Sequence, residues 1–157
     1  MTFSSIEVYQ AYSTQTRAGR QPPGMLPHLR GAVPSTISGE EIEEQLARML
    51  TSDLFTRSER MSRFLGFIVN ETLEGRGREL NQYAIALEAF DKPDSFDPTT
   101  DPIIRVEAGR LRAKLREYYA TSGLMDPIQI GMARIGYRPT FSRKEAGPFG
   151  SFPTSLI

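Results

Sequence analysis

Cysteine is absent from the 157 residues, histidine occurs once, and no apolar run is long. Each absence excludes something. Without thiols there can be no disulfides and no thiolate chemistry, which fits a reducing compartment. A single histidine, His28, rules against a His-based metal site or a Ser-His-Asp triad within one chain. The longest apolar stretches, such as Phe64-Leu65-Gly66-Phe67-Ile68-Val69, are far shorter than the roughly 20 residues a membrane helix needs. Met1-Thr2-Phe3-Ser4-Ser5 shows no basic region followed by an apolar core, so no secretory signal is expected and the reading is cytoplasmic, with no membrane contact. Net charge is missing too: 19 Lys and Arg balance 19 Asp and Glu. That argues against a generally sticky polycation but not against a local basic surface.

Familiar chemical motifs fail on inspection. Gly75-Arg76-Gly77-Arg78 lacks the Lys-Ser/Thr pair of a phosphate loop and follows a helix, not a strand. Asp91, Asp94, Asp97 and Asp101 superficially suggest a cation loop, but the central glycine and closing glutamate of a Ca²⁺ loop are missing. Turn formation and helix capping account for them better. No enzymatic activity, metal or cofactor is expected.

The length fits one domain with tails. Residues 1–37 read as a flexible N-terminal tail containing Pro22, Pro23, Pro27 and Pro34, with a short helical patch near Ile6 to Tyr12. Its Arg17, Arg20 and Arg30 fit a solvated leader or an arm on DNA. Residues 38–141 form the expected domain, and 142–157 a C-terminal tail rich in Ser, Pro and Gly.

Within the domain, Ser38-Gly39-Glu40-Glu41 is a capping box, followed by Ile42, Leu46, Met49 and Leu50 at helical spacing. A break is expected at Thr51-Ser52-Asp53. A second helix spans about Ser58 to Glu74, its stripe being Met61, Phe64, Leu65, Ile68, Val69 and Thr72, ended by Gly75 and Gly77. A third runs from Asn81, its N-cap, to Phe90, burying Ile85, Leu87 and Phe90. An acidic, turn-rich loop covers 91–100. Asp101 then caps a fourth helix with Pro102 at its first position, running to about Ala120 and closing near Gly123. Ile128 and Ile130 alternate with Gln129, and Tyr137, Pro139 and Phe141 share one parity; two short strands around 131–136 form a hairpin, the expected wing being residues 128–141.

The fourth helix is the most informative element. At about 100° per residue, Ile104, Ala108, Leu111, Leu115 and Tyr118 make a core stripe. Arg105, Arg112 and Arg116 flank it on one side, Arg110 and Lys114 on the other, and the back is small: Val106, Gly109 and Ala113. A helix in the major groove has phosphates on both sides. Basic flanks neutralise both strands, and a ridge of small residues allows close approach to base edges. Val106 or Ala113 suits a thymine methyl, and Arg105 or Arg110 suits guanine. The plainer alternative is a surface helix whose arginines are offset by Glu107 and Glu117. The hairpin that follows favours the DNA reading: Arg134 near its tip suits the minor groove, and Arg138, opposite Tyr137, suits phosphate.

Arg110-Leu111-Arg112-Ala113-Lys114-Leu115 with Ala133-Arg134-Ile135-Gly136-Tyr137-Arg138 resembles the effector domain of OmpR/PhoB-type response regulators, over roughly residues 80–141. A second resemblance spans about 40–141. It is carried by Phe64-Leu65, Glu71-Thr72-Leu73-Glu74-Gly75-Arg76, Tyr83-Ala84-Ile85-Ala86 and the run from Ser95 to Glu107. These look like a winged-helix module of proteobacteria found fused to adenylate-cyclase-like or tetratricopeptide regions, here standing alone. The resemblance implies a mainly α fold with a small β-hairpin wing, a winged helix-turn-helix. It also implies double-stranded DNA as ligand, a homodimer on repeated half-sites, and contact of loop 91–100 with RNA polymerase. The chain departs from the first family in lacking a receiver domain upstream, in having helices where that family has N-terminal strands, and in placing Arg134 where that family has glycine.

The expected function is therefore a sequence-specific transcriptional regulator, read as a repressor. Its expected DNA-binding residues are Arg105, Val106, Gly109, Arg110, Arg112, Ala113, Lys114, Arg116, Arg134 and Arg138. The dimer contact is expected from the first helix, around Ile42 to Leu50, or from a tail. The alternative is a winged-helix protein-interaction module acting on another regulator or on RNA polymerase without binding DNA.

Overall fold

A computed structural model describes residues 36–144. The tail readings at 1–35 and 145–157, with Arg17, Arg20, His28 and Arg30, lie outside the described residues. Among the described residues, five helices precede one hairpin: α1 (Gly39–Leu50), α2 (Asp53–Thr56), α3 (Glu59–Leu73), α4 (Gln82–Phe90), α5 (Ile103–Ala120), β1 (Ile128–Met132) and β2 (Pro139–Arg143). This part of the chain is thus mainly helical with one two-stranded antiparallel hairpin.

The helices begin and end for local reasons. At α1 the Ser38 Oγ accepts from the Glu41 N–H at 3.2 Å, and the Glu41 carboxylate accepts from the Ser38 N–H at 2.9 Å. This reciprocal bonding satisfies two otherwise unpaired donors. At α4 the Asn81 side chain accepts from the Ala84 N–H at 3.0 Å. α3 stops where Gly75 enters the left-handed region at φ +84. α5 begins one residue later than the sequence suggested. Pro102 sits at the cap position, and the Asp101 carboxylate accepts from the Ile103 N–H at 3.0 Å.

The apolar stripes meet in one core. Ile42, Leu46, Met49 and Leu50 of α1, Phe64, Leu65, Ile68 and Val69 of α3, Ile85 of α4, and Ile104, Leu111 and Leu115 of α5 are all buried. Burying each large side chain contributes about 1.5–3 kcal/mol before entropy is counted. Phe64 meets Phe90 edge to face, with ring centres 5.3 Å apart. α4 buries Ala86 and Ala89 beside Ile85, while Leu87 and Phe90 are only half-buried. The expected break after α1 contains the one-turn helix α2, which sends Phe55 into the core against Tyr118.

The alternation at Ile128 and Ile130 lies on β1, and Pro139 and Phe141 lie on β2. The strands occupy 128–132 and 139–143, in the register Ile130 opposite Phe141 and Met132 opposite Pro139. Residues 133–138 are the connection, so Tyr137 and Arg138 precede β2, and Arg138 does not lie on the last strand as expected. Pro139 opens β2, a strand position that tolerates a missing N–H. The strand also continues to Arg143, two residues past the expected boundary at 141.

β1 is held by α1 and α5 together. The Tyr119 hydroxyl accepts from the Ile130 N–H at 2.7 Å. Asp126 accepts from Tyr118 Oη and from Gln45 Nε2, both at 2.6 Å. Burial pushes the Tyr119 phenol up to about 12 and raises the Tyr118 phenol further, the latter helped by Asp126. Both are therefore neutral at physiological pH, Tyr118 donating to Asp126 and Tyr119 donating to Met49 Sδ at 3.4 Å.

Loop 91–100 is folded on itself. Asp91 takes a left-handed conformation at φ 52 and is gripped by both Arg63 guanidinium nitrogens, at 2.5 and 3.0 Å. Phe96 is buried, Asp97 accepts two bonds from Thr99, and Lys92 reaches Asp101 at 3.1 Å. These aspartates serve turns and caps. Among the described residues, no group of three or more His, Cys, Asp or Glu side chains could hold a metal ion. Among the same residues, no helix is long and apolar enough to cross a membrane.

Candidate nucleic-acid interface

α5 is buried along one arc and open along the other. Ile104, Glu107, Ala108, Leu111, Leu115, Tyr118 and Tyr119 face inward. Arg105, Val106, Gly109, Arg110, Ala113, Arg116, Glu117 and Ala120 face solvent. Arg112 and Lys114 are half-buried at the two borders. The five-residue core stripe read from periodicity is present. Glu107 and Tyr119 join it, although the sequence reading left both outside.

The small-residue ridge is open. A β-carbon built at Gly109 meets nothing within 4 Å, so no internal contact requires glycine there. Glycine in an exposed helix interior costs about 1 kcal/mol relative to alanine. Val106 beside it is 46% exposed, an apolar side chain with no partner.

The cations fall into three groups. Arg105 and Arg116 on α5, and Arg134 and Arg138 on the hairpin connection, have no hydrogen-bond or ion-pair partner among the described residues; Arg105 acts on Tyr137 only through its charge. Arg110 is tethered: its Nη1 donates to the Glu107 carboxylate at 2.7 Å, and that carboxylate is only 2% exposed. Arg112 and Lys114 bond to backbone carbonyls. Lys114 Nζ donates to Leu54 O at 3.1 Å and lies 5.9 Å from the centre of the Phe55 ring, which ties α5 to α2. Arg112 donates to Ala133 O at 3.1 and 2.9 Å and to Gly136 O at 2.8 Å, which ties α5 to the hairpin connection.

Sequence reading assigned Arg112 and Lys114 to the flanks as free groove contacts. The structure gives each an internal partner, and both partners are neutral. A carbonyl accepts the bond and leaves the positive charge undiminished, so these anchors hold the fold and still contribute to the local field. Half-buried Tyr137 stands beside this cluster. Burial raises its phenol, while the charges of Arg105 and Arg112 pull the other way.

The connection closes with the Ala133 N–H donating to Arg138 O at 2.9 Å, and Gly136 turns the chain at φ +80. Ile135 at the apex is 92% exposed. Between α5 and β1 lies a groove of about 180 Å³, with Arg112, Arg116 and Arg134 around its mouth and Leu115, Tyr119 and Ile130 among the residues lining it. Of the ten expected contact residues, Val106, Gly109 and Ala113 make the ridge, and the seven cations divide by partner among the described residues: free, tethered to acid, or bonded to carbonyls.

No protein-family model matches the chain, and neither a curated protein nor a solved structure does.

Proposed function

We propose that this chain is a winged-helix module that binds double-stranded DNA, with α5 in the major groove and the hairpin as the wing. On this reading it is a sequence-specific transcriptional regulator, acting as a repressor by occupying a promoter. The observation that carries the reading is the open face of α5, where Gly109, Ala113 and Val106 form a ridge beside Arg105 and Arg116, which have no carboxylate partner among the described residues, with Arg110, paired to Glu107, on the other flank. A major groove about 12 Å wide admits a helix whose outer ridge is small and whose flanks are cationic. The free arginines Arg105, Arg116, Arg134 and Arg138 are the phosphate and base contacts. The small residues set the depth of approach. Arg110 serves the groove only while tethered to Glu107.

The resemblance to OmpR/PhoB-type effector domains and to the proteobacterial winged-helix module agrees with this assignment. It extends the proposal to a homodimer on paired half-sites and to loop 91–100 as a surface for RNA polymerase. The test is fluorescence anisotropy of purified protein on mixed duplex DNA across a salt series. Affinity that falls steeply with salt supports phosphate neutralisation by this face. A folded protein that binds no duplex at low salt overturns the reading in favour of a protein-interaction module.

A further inference from the structure

The hydrogen bonds of Arg112 have an unusual placement. Its guanidinium grips Ala133 O and Gly136 O, the carbonyls on either side of a two-residue apex. Only Arg134 and Ile135 lie between them. The Ala133 N–H bond to Arg138 O closes the base of the same turn. With Nε and Nη2 both on Ala133 O and Nη2 also on Gly136 O, one edge of the planar guanidinium fixes both sides of the apex relative to α5, since the group itself rises from that helix. What it holds out is one cation without a partner and one isoleucine that is 92% exposed, the most exposed of the large apolar residues described.

Building on the DNA-binding reading, we infer that Arg112 is a positioning residue that does not touch nucleic acid. It presents Arg134 and Ile135 to the minor groove as one rigid pair. Arg134 meets the negative potential of a narrow minor groove. Ile135 packs against the groove's sugar walls or wedges at a base step, as apolar side chains of minor-groove binders do. Pre-setting the pair spares the entropy of ordering a free loop on binding.

The first arm of the test needs no DNA. In ¹⁵N relaxation, backbone order parameters for residues 134–136 are expected near ~0.8 in the wild type and below ~0.6 in Arg112→Ala, with α5 unchanged. An apex equally ordered in both proteins, or mobile in both, overturns the clamp. Arg112→Lys keeps the charge and loses the fork. It should behave like Arg112→Ala, and wild-type order in this variant also overturns the clamp.

The second arm uses a labelled duplex enriched by the wild type from a random pool. Arg134→Ala is expected to weaken binding roughly tenfold in the wild type but less than about twofold in an Arg112→Ala background, because a displaced apex has little left to lose. Ile135→Ser is expected to weaken binding about threefold to fivefold with the salt slope unchanged, as an apolar contact releases no counterions. Two results overturn the inference: penalties for Arg112 and Arg134 that multiply, with the slope falling by about one for Arg112→Ala, and no effect of Ile135→Ser. A wild type that enriches no duplex overturns the minor-groove assignment together with the DNA reading, while the relaxation arm still decides the clamp.

Discussion

Between residues 36 and 102 the chain has seven lysines and arginines against fourteen aspartates and glutamates; between 103 and 144 it has nine against three. The two halves share one core, yet they handle charge differently. In the first, Arg48, Arg63, Arg76 and Lys92 all reach carboxylates, Arg76 holding both Glu71 and Glu74. In the second, among the described residues, only Arg110 and Arg143 do so. Arg112, Lys114 and Lys144 bond to carbonyls, and four arginines have no hydrogen-bond or ion-pair partner among those residues. A net charge of zero thus conceals a polarised molecule. Pairing a cation with an acid cancels its field, whereas anchoring it on a carbonyl leaves the field in place.

The sharpest way to break this comparison is to remove free cations from each half in turn. Arg105/Arg116/Arg134→Ala should lower duplex affinity by roughly 10²–10³ near 0.1 M salt and reduce the log–log salt slope by about 2.7. Arg57/Arg60/Arg78→Ala, equally unpartnered but on the acidic half, should change affinity less than about threefold. Equal losses in anisotropy titrations would mean that the face, as opposed to the total charge, plays no part.

A smaller effect separates tethered from surface pairs. Arg110→Ala leaves the buried Glu107 carboxylate without its cation and should cost about 1–3 kcal/mol in urea unfolding. Adding Glu107→Gln should restore part of that loss. Arg76→Ala, on an exposed pair, should leave the urea midpoint nearly unchanged. Arg110 is for this reason a poor single probe of DNA contact.

Gly109→Ala should do opposite things to fold and function. With open space around its β-carbon, alanine should raise stability by about 0.5–1 kcal/mol. The added methyl should weaken duplex binding if the ridge approaches base edges. Increased stability with unchanged affinity would remove the ridge from the interface.

The smallest effect concerns acid. The Arg63 guanidinium beside Asp91 holds its carboxyl below the usual carboxylate range. A carboxyl with a depressed folded value contributes stability that is fully present above its ordinary value near 3.8 and is lost as pH falls through the depressed one. Asp91 is 72% exposed, so the contribution is at most about 1 kcal/mol. Arg63→Ala should flatten the stability–pH curve below pH ~4 and leave it unchanged near neutrality. An identical curve would show that the pair is fully screened.

Helix boundaries were legible because they are local. The capping box at Ser38, Asn81 before α4 and the glycine after α3 act within three or four residues, and the periodic stripes follow from the helix itself. The core face of α5 was legible for the same reason. The strand positions were less so: Gly131 and Gly136 mark a turn region without saying where pairing stops. Least legible were the partners of long side chains. Arg112 reaches carbonyls 21 and 24 positions away, and Lys114 reaches one 60 positions away. Periodicity gives such residues a flank, but only the assembled fold gives them an acceptor. Gln45 meets Asp126 across 81 positions in the same way, and no pattern in α1 marks that glutamine as buried.

Arg143 at the end of β2 donates to Glu41 at 2.7 Å, and Glu41 belongs to the cap that starts α1. The chain therefore enters and leaves this unit side by side. A segment with neighbouring ends can be spliced into a loop of a host protein without prying the host apart, and its ends can be joined by a short linker while a new opening is cut elsewhere. The Glu41–Arg143 bond marks where the two ends of these 109 described residues meet, the point at which such a splice or linker would be placed.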